Sequence, residues 1–242
     1  MSENRKSEEM KPVAPKIKRD KPDYATLFWL FFFGSITGFI LEGLWRILLF
    51  GHWENHAATV WGPFCIVYGI GAAAMYLVSR LLADKSFFVQ FLGYGAAGAA
   101  VEYISSYLQE LAFGSRSWDY SDAPFNLNGR ISLQMAAIWG LLGVAFAKFA
   151  FPLIEKARRQ TKGRTARLLC VILSVYMAVN LCLTAASVFR WAERMDGKDP
   201  SNRTERFLDR YFGDERMVEI FNNMEFGTAD AAKDDEQTAK AK

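Results

Sequence analysis

Three ionisable residues, Glu42, Arg46 and Glu102, stand inside long apolar runs of this chain. A charge within an apolar span costs on the order of several kcal/mol unless it is paired or hydrated, so such residues mark ion or substrate paths. Glu42 and Arg46 are four apart and share a helix face, which predicts a pair. A polar stretch over 117–130 adds Trp118, Asp119, Tyr120, Asn126, Asn128 and Arg130. Asp119, Asp122, Asn126 and Asn128 favour side-chain-closed turns, Pro124 blocks a helix, and Gly129 is permissive. The expectation is a turn-rich cap over the buried charges, with Arg130 reaching Glu42 or Glu102. Carboxylates beside an arginine can bind an ion or polar ligand, or do acid–base work on a phosphate-bearing substrate.

The elements that must carry these residues are helices. Hydrophobic residues are 51% of the chain, yet both tails are charged, so the apolar residues are concentrated in the centre. Five runs, 25–50, 60–83, 87–113, 131–151 and 168–189, are long enough to cross a bilayer, which needs roughly 20 mostly apolar residues. The fold expected is an all-α membrane bundle of about five helices. Residues 1–23 read as a disordered basic tail, 24–190 as the transmembrane domain, 191–227 as an amphipathic helical tail and 228–242 as a disordered end. The first run follows a charged segment and is too long for a signal peptide. The three cysteines, Cys65, Cys170 and Cys182, lie in apolar runs without a C-x-x-C pair, so packing is their expected role.

Lysine and arginine set the orientation. They crowd the N-terminal tail, the turn around Arg80 and Lys85, and the loop over 155–167, whereas the segment between the first two spans has none. The N-terminus is therefore expected in the cytoplasm, with 117–130 and the C-terminal tail outside. Trp53, Trp61, Trp118 and Trp191 then fall at the outer boundary. His52 and His56 are spaced for a metal on a helix, but the short loop offers no obvious third ligand.

The first and third runs look alike. Gly38 precedes Glu42 by four residues, as Gly98 precedes Glu102. Each run leads to an outer loop, re-enters at Gly62-Pro63 or Gly129-Arg130, and continues to Tyr68-Gly69 or Trp139-Gly140. Two parallel-repeat hairpins followed by a fifth helix are expected, with Glu42 and Glu102 at equivalent depths. Gly34-x-x-x-Gly38 and the glycine–alanine face around Gly93–Ala100 invite close helix contact, within the chain or in a homo-oligomer. Apolar residues in 207–221 recur with helical spacing, so the tail is expected on the outer surface of the bundle or at the lipid interface.

These features together, Gly-Phe-Ile-Leu-Glu with Trp45-Arg46, Trp61-Gly62-Pro63-Phe64, Tyr68-Gly69, Glu102, Trp118-Asp119-Tyr120-Ser121, the block from Pro124 to Arg130, and Trp139-Gly140, resemble the ABC-transporter type IV permease family of bacterial membrane proteins. The resemblance covers roughly residues 28–151. It implies a multi-pass permease of the bacterial cytoplasmic membrane, with the lipid bilayer as surroundings. No glycine-rich phosphate motif ending in Lys-Ser or Lys-Thr occurs, so an ATPase would be a separate subunit on the cytoplasmic face. No cofactor or nucleic acid is expected. Three readings stay open: a transporter subunit with an outward polar site, a scaffold or sensor whose loop is a structural clasp, and an intramembrane enzyme acting on lipid or an envelope precursor.

Overall fold

The computed structural model describes residues 21–160 and 163–226. Most of the N-terminal tail, the segment beyond 226, and Lys162 of the basic loop lie outside the described residues. The helices are α1 (Tyr24–Phe50), α2 (Ile66–Leu82), α3 (Phe87–Phe113), α4 (Leu133–Ala145), α5 (Phe151–Gln160), α6 (Arg164–Met195), α7 (Arg203–Tyr211) and α8 (Asp214–Ile220). Four two-residue strands form two small antiparallel ladders: β1 (Ser115–Arg116) with β4 (Glu225–Phe226), and β2 (Asn126–Leu127) with β3 (Ile131–Ser132).

The helices Tyr24–Phe50, Leu133–Arg158 and Arg164–Met195 are long and apolar enough to cross a membrane, and Ile66–Leu82 is a shorter apolar helix. Phe87–Phe113 is as long as α1, at 27 residues, but glycines, Gln90, Glu102, Gln109 and Glu110 dilute its hydropathy. The packing is that of a membrane bundle. Phe88, Leu81 and Leu92 stand on the surface at 67–74% exposure, while Ser35, Ser79, Asn180 and Ser187 are fully enclosed. Water would penalise such an apolar surface, whereas a bilayer solvates it and drives polar groups inward.

Two boundaries differ from expectation. The second helix begins at Ile66 rather than near residue 60, because Gly62 takes a left-handed φ of 81° and Pro63 lies before the helix. The fourth helix does not stop at 151. It passes through a π-helical turn, Phe146–Ala150, and continues as α5. Pro152 supplies the cause, since it cannot donate to the Lys148 carbonyl and its ring crowds that group.

The bundle is built from two matching hairpins, α1–α2 and α3–α4. Residues sixty apart in α1 and α3 occupy like places, as do residues seventy-one apart in α2 and α4. A Cβ on Gly69 would sit 2.5 Å from the Phe31 carbonyl, and one on Gly140 would sit 2.7 Å from the Phe91 carbonyl. Gly38 lies against Tyr68, and Gly98 against Trp139, so closely that any side chain would overlap the ring. Gly34 faces Ala72, whereas its counterpart Tyr94 faces Gly143, a swap of large and small that keeps the spacing. Gly34, Gly38, Gly95 and Gly98 thus meet the chain's own helices, while Ala96 and Ala100 stay exposed. Helix α4 gains one extra turn at its start, because Gly129 and Gly62 each stand four residues before their helices while the matched aromatics are seventy-one apart.

Helix α6 has 32 residues, about 48 Å at 1.5 Å per residue, and so outreaches a ~30 Å hydrocarbon core. Its end carries the C-terminal tail. Val60, Val188, Trp191, Leu208, Phe212, Met217 and Phe221 form one buried cluster, which settles the tail on the bundle through its own core. Arg190 donates to Asp209 at 2.9 and 3.0 Å, and Arg194 donates to Asp209 at 2.6 Å and Asp214 at 2.7 Å. Asn202 caps α7, accepting from the Glu205 N–H at 2.9 Å, while Glu205 accepts back from the Ser201 N–H at 2.5 Å.

Gly98→Val should lower the stability of the purified protein by about 1–3 kcal/mol through overpacking against Trp139. Gly163→Ala, with open space around it, should stay within about 0.5 kcal/mol. Thermal unfolding in one detergent compares them.

The guanidinium of Arg190, aided by Arg194, holds the Asp209 carboxyl below the usual carboxylate range. Its folded pKa is therefore below the unfolded value of about 3.9, so its stabilisation is full above that value and is lost as pH falls through the folded one. Hydrogen exchange should show α7 and α8 opening below about pH 4, with α1–α4 still protected. Asp209→Asn should open the tail at neutral pH as well.

Candidate functional site

Glu42, Glu102 and Tyr120 are the sequence-selected residues that the fold brings into one place, in the seam between the two hairpins. Tyr68 donates its hydroxyl to Glu42 Oε1 at 2.6 Å. The Tyr68 ring packs on Trp139 at 6.0 Å between centroids. Trp139 is 5% exposed, and its indole N–H faces the Glu102 carboxylate without closing a well-formed hydrogen bond. Glu102 is 7% exposed, and its Oε2 has no hydrogen-bond partner. The two carboxylates lie within electrostatic reach of each other. Tyr120 descends from the loop toward both, and burial together with the Glu102 and Glu42 charges pushes its phenol above the ordinary range.

The repeat explains this arrangement. Each glycine one turn before a glutamate lets the aromatic side chain of the returning helix lie close against the backbone, so Tyr68 meets Glu42 and Trp139 meets Glu102. Neither aromatic was assigned to the site from sequence. The signal was present in the matched pairs Tyr68-Gly69 and Trp139-Gly140, which pattern alone reads as packing.

Both arginines go elsewhere. The expected Glu42–Arg46 pair is replaced, because the segment after α1 folds back over its last turn. Arg46 Nε lies 3.2 Å from Glu54 Oε2 and 3.2 Å from His56 Nε2, with its guanidinium over Phe50. His56 is buried in this ion network. Among the described residues no group of three His, Cys, Asp or Glu side chains is disposed to hold a metal. Arg130 reaches neither Glu42 nor Glu102 as an ion-pair partner. It pairs with Glu110 Oε2 at 2.5 Å and donates to Ser106 Oγ at 3.4 Å, flanked by the rings of Tyr103 and Tyr107. Glu110 also takes two bonds from Arg116 at 2.9 and 3.0 Å. The reason is reach along one helix: Ser106 and Glu110 lie one and two turns beyond Glu102, nearer the loop from which Arg130 comes.

The rest of the polar stretch closes on itself. Asn128 and Gly129 both take positive φ, and the Arg130 N–H donates to the Leu127 carbonyl at 3.0 Å, which makes an Asn-Gly hairpin of β2 and β3. Asn126 donates to the Ser121 and Ala123 carbonyls and accepts from the Gly129 N–H. Asp119 accepts from Ser121 N–H and Oγ, and those bonds hold its carboxyl low. Trp118 donates to the Arg130 carbonyl at 3.1 Å, and Asn128 to the Tyr103 hydroxyl at 3.0 Å. Trp118, Asp119, Asn126, Asn128 and Arg130 therefore hold the cap together, and Tyr120 alone among these residues enters the seam.

The other re-entering segment is held from the side. Asn180 of α6, fully buried, donates to the Trp61 carbonyl at 2.7 Å and accepts from the Trp61 N–H at 3.2 Å, and Thr184 accepts from the Val60 N–H at 3.0 Å. Asn180 is one of the few polar groups of an otherwise apolar helix. It is a backbone clamp, which helical periodicity could not reveal because its partner is an irregular segment.

Searches of curated proteins and of solved structures return no match to this chain. The family model described as "putative ABC-transporter type IV" matches residues 29–185, which extends the likeness from the two hairpins into α6. Since the match spans well over half the chain, this protein belongs to the ABC-transporter type IV family.

Proposed function

We propose that the chain is the membrane-embedded subunit of a transport system, with the Glu42–Tyr68–Glu102–Trp139 seam under Tyr120 as its polar site. The observation that carries this reading is Glu102, a carboxylate enclosed in a membrane bundle with an oxygen left without a partner. An unmet buried acceptor costs about 1–3 kcal/mol and a charged one more, which favours a proton or ligand at that oxygen. Membership of an ABC-transporter-related family supports the same reading. The distribution of lysine and arginine supports a cytoplasmic N-terminus with the capped ends of both hairpins outside, and the family resemblance implies a bacterial cytoplasmic membrane. ATP hydrolysis would belong to a separate subunit docked on the cytoplasmic face, since the chain has no phosphate-binding loop.

A second reading, a membrane scaffold whose loop is a clasp, has its own support in the closed hydrogen bonding of 118–130. Two variants separate them. Arg130→Lys removes the guanidinium plane flanked by Tyr103 and Tyr107 and disturbs its contacts to Glu110 and Ser106, so it should cost about 1–3 kcal/mol of stability. Glu102→Gln keeps the shape, so it should fold at wild-type yield while abolishing uptake or export by the native operon expressed in a null host. Loss of function in proportion to stability in both variants would favour the scaffold. Copurification of a nucleotide-binding subunit with the wild-type chain checks the ABC coupling.

A further inference from the structure

The seam holds two acids and no base. Among the described residues, Glu42 and Glu102 make no ion pair with lysine, arginine or histidine, because Arg46 is spent on Glu54 and Arg130 on Glu110. The groups facing the acids are the Tyr68 phenol and Cys65 thiol at the head of α2, the Trp139 indole on α4 and the Tyr120 phenol from the loop. None of them is a cation. Two carboxylates within electrostatic reach, one of them enclosed in an apolar bundle and neither paired with a cation, favour a proton on the enclosed one.

The surroundings are unequal. Glu42 accepts a short 2.6 Å bond from Tyr68 and is partly exposed. Glu102 is nine-tenths buried with an unpartnered Oε2, and beside it the indole N–H of Trp139, 5% exposed, is unpartnered as well. The aromatic rings of Tyr68 and Trp139 pack directly on each other and on Gly38 and Gly98. A proton needs no cavity, which a larger cation would. We propose that the Glu42–Glu102 pair is a proton-binding site: one proton from solvent bonds to Glu102, giving a neutral carboxylic acid beside an ionised Glu42. Release breaks that O–H bond and returns the proton to water.

This rests on the proposed polar site, yet its test needs no transport. The full chain in lipid nanodiscs should show, by infrared difference spectroscopy at neutral pH, the C=O stretch of one protonated buried carboxyl. Glu102→Gln should remove that band. Glu102→Asp should shift it, which keeps the assignment if the glutamine variant does not insert. Tyr68→Phe should keep the band but move its titration midpoint, since one acid of the pair loses its donor. Absence of the band from the wild type, or a band unchanged in both Glu102 variants, would overturn the proposal. So would erasure of the band by sodium or tetramethylammonium at fixed pH, which would make the site one for those cations. A band that behaves as expected in a chain that transports nothing would leave the proton site standing and remove the transporter reading.

Discussion

Contact of an aromatic ring with a bare helix backbone is the interaction on which this molecule depends. Tyr68 lies on Gly38 and Trp139 on Gly98, and neither helix pair could close with a Cβ in the way. In a bilayer, helix association has little hydrophobic drive, so close van der Waals approach supplies much of it. The same contact has a polar consequence. A ring pressed onto the glycine brings its polar edge toward the side chain one turn later, and in both hairpins that side chain is glutamate. Packing and the site are therefore one arrangement used twice.

The polar groups follow a complementary rule. A membrane bundle must satisfy its irregular backbone from within, and this chain does so at the connection within each hairpin by a different device. The 51–65 segment borrows Asn180 and Thr184 from α6. The second loop folds into an Asn-Gly hairpin and bonds itself shut. The C-terminal tail then covers this end with an apolar cluster and an arginine–aspartate network. At the two hairpin connections Arg46 pairs with Glu54 and Arg130 with Glu110, away from Glu42 and Glu102. The result is a polar seam with acids and aromatic N–H or O–H groups.

Much of the frame was readable from residue order. The positions of the apolar runs, the glycine-before-glutamate repeat and the turn chemistry of 117–130 all correspond to what the helices and loop do. Helix limits were less readable. The start of α2 was misplaced because residues 60–65 are apolar but extended, and apolar content does not separate the two states. The continuation into α5 was missed because proline normally ends a helix, and here a π turn absorbs it.

Partners were the least readable of all. Residue types and periodicity determined that this is a helical membrane protein with repeated hairpins and acids held in its apolar runs, because solvation by lipid and the spacing of side chains along a helix are properties of the chain itself. Which charge meets which was settled only by tertiary structure. Arg46 turned to Glu54, Arg130 to Glu110 and Asn180 to Trp61. Each of those choices depends on a loop or a neighbouring helix arriving within hydrogen-bond distance, and that depends on how closely the glycine faces let the helices approach.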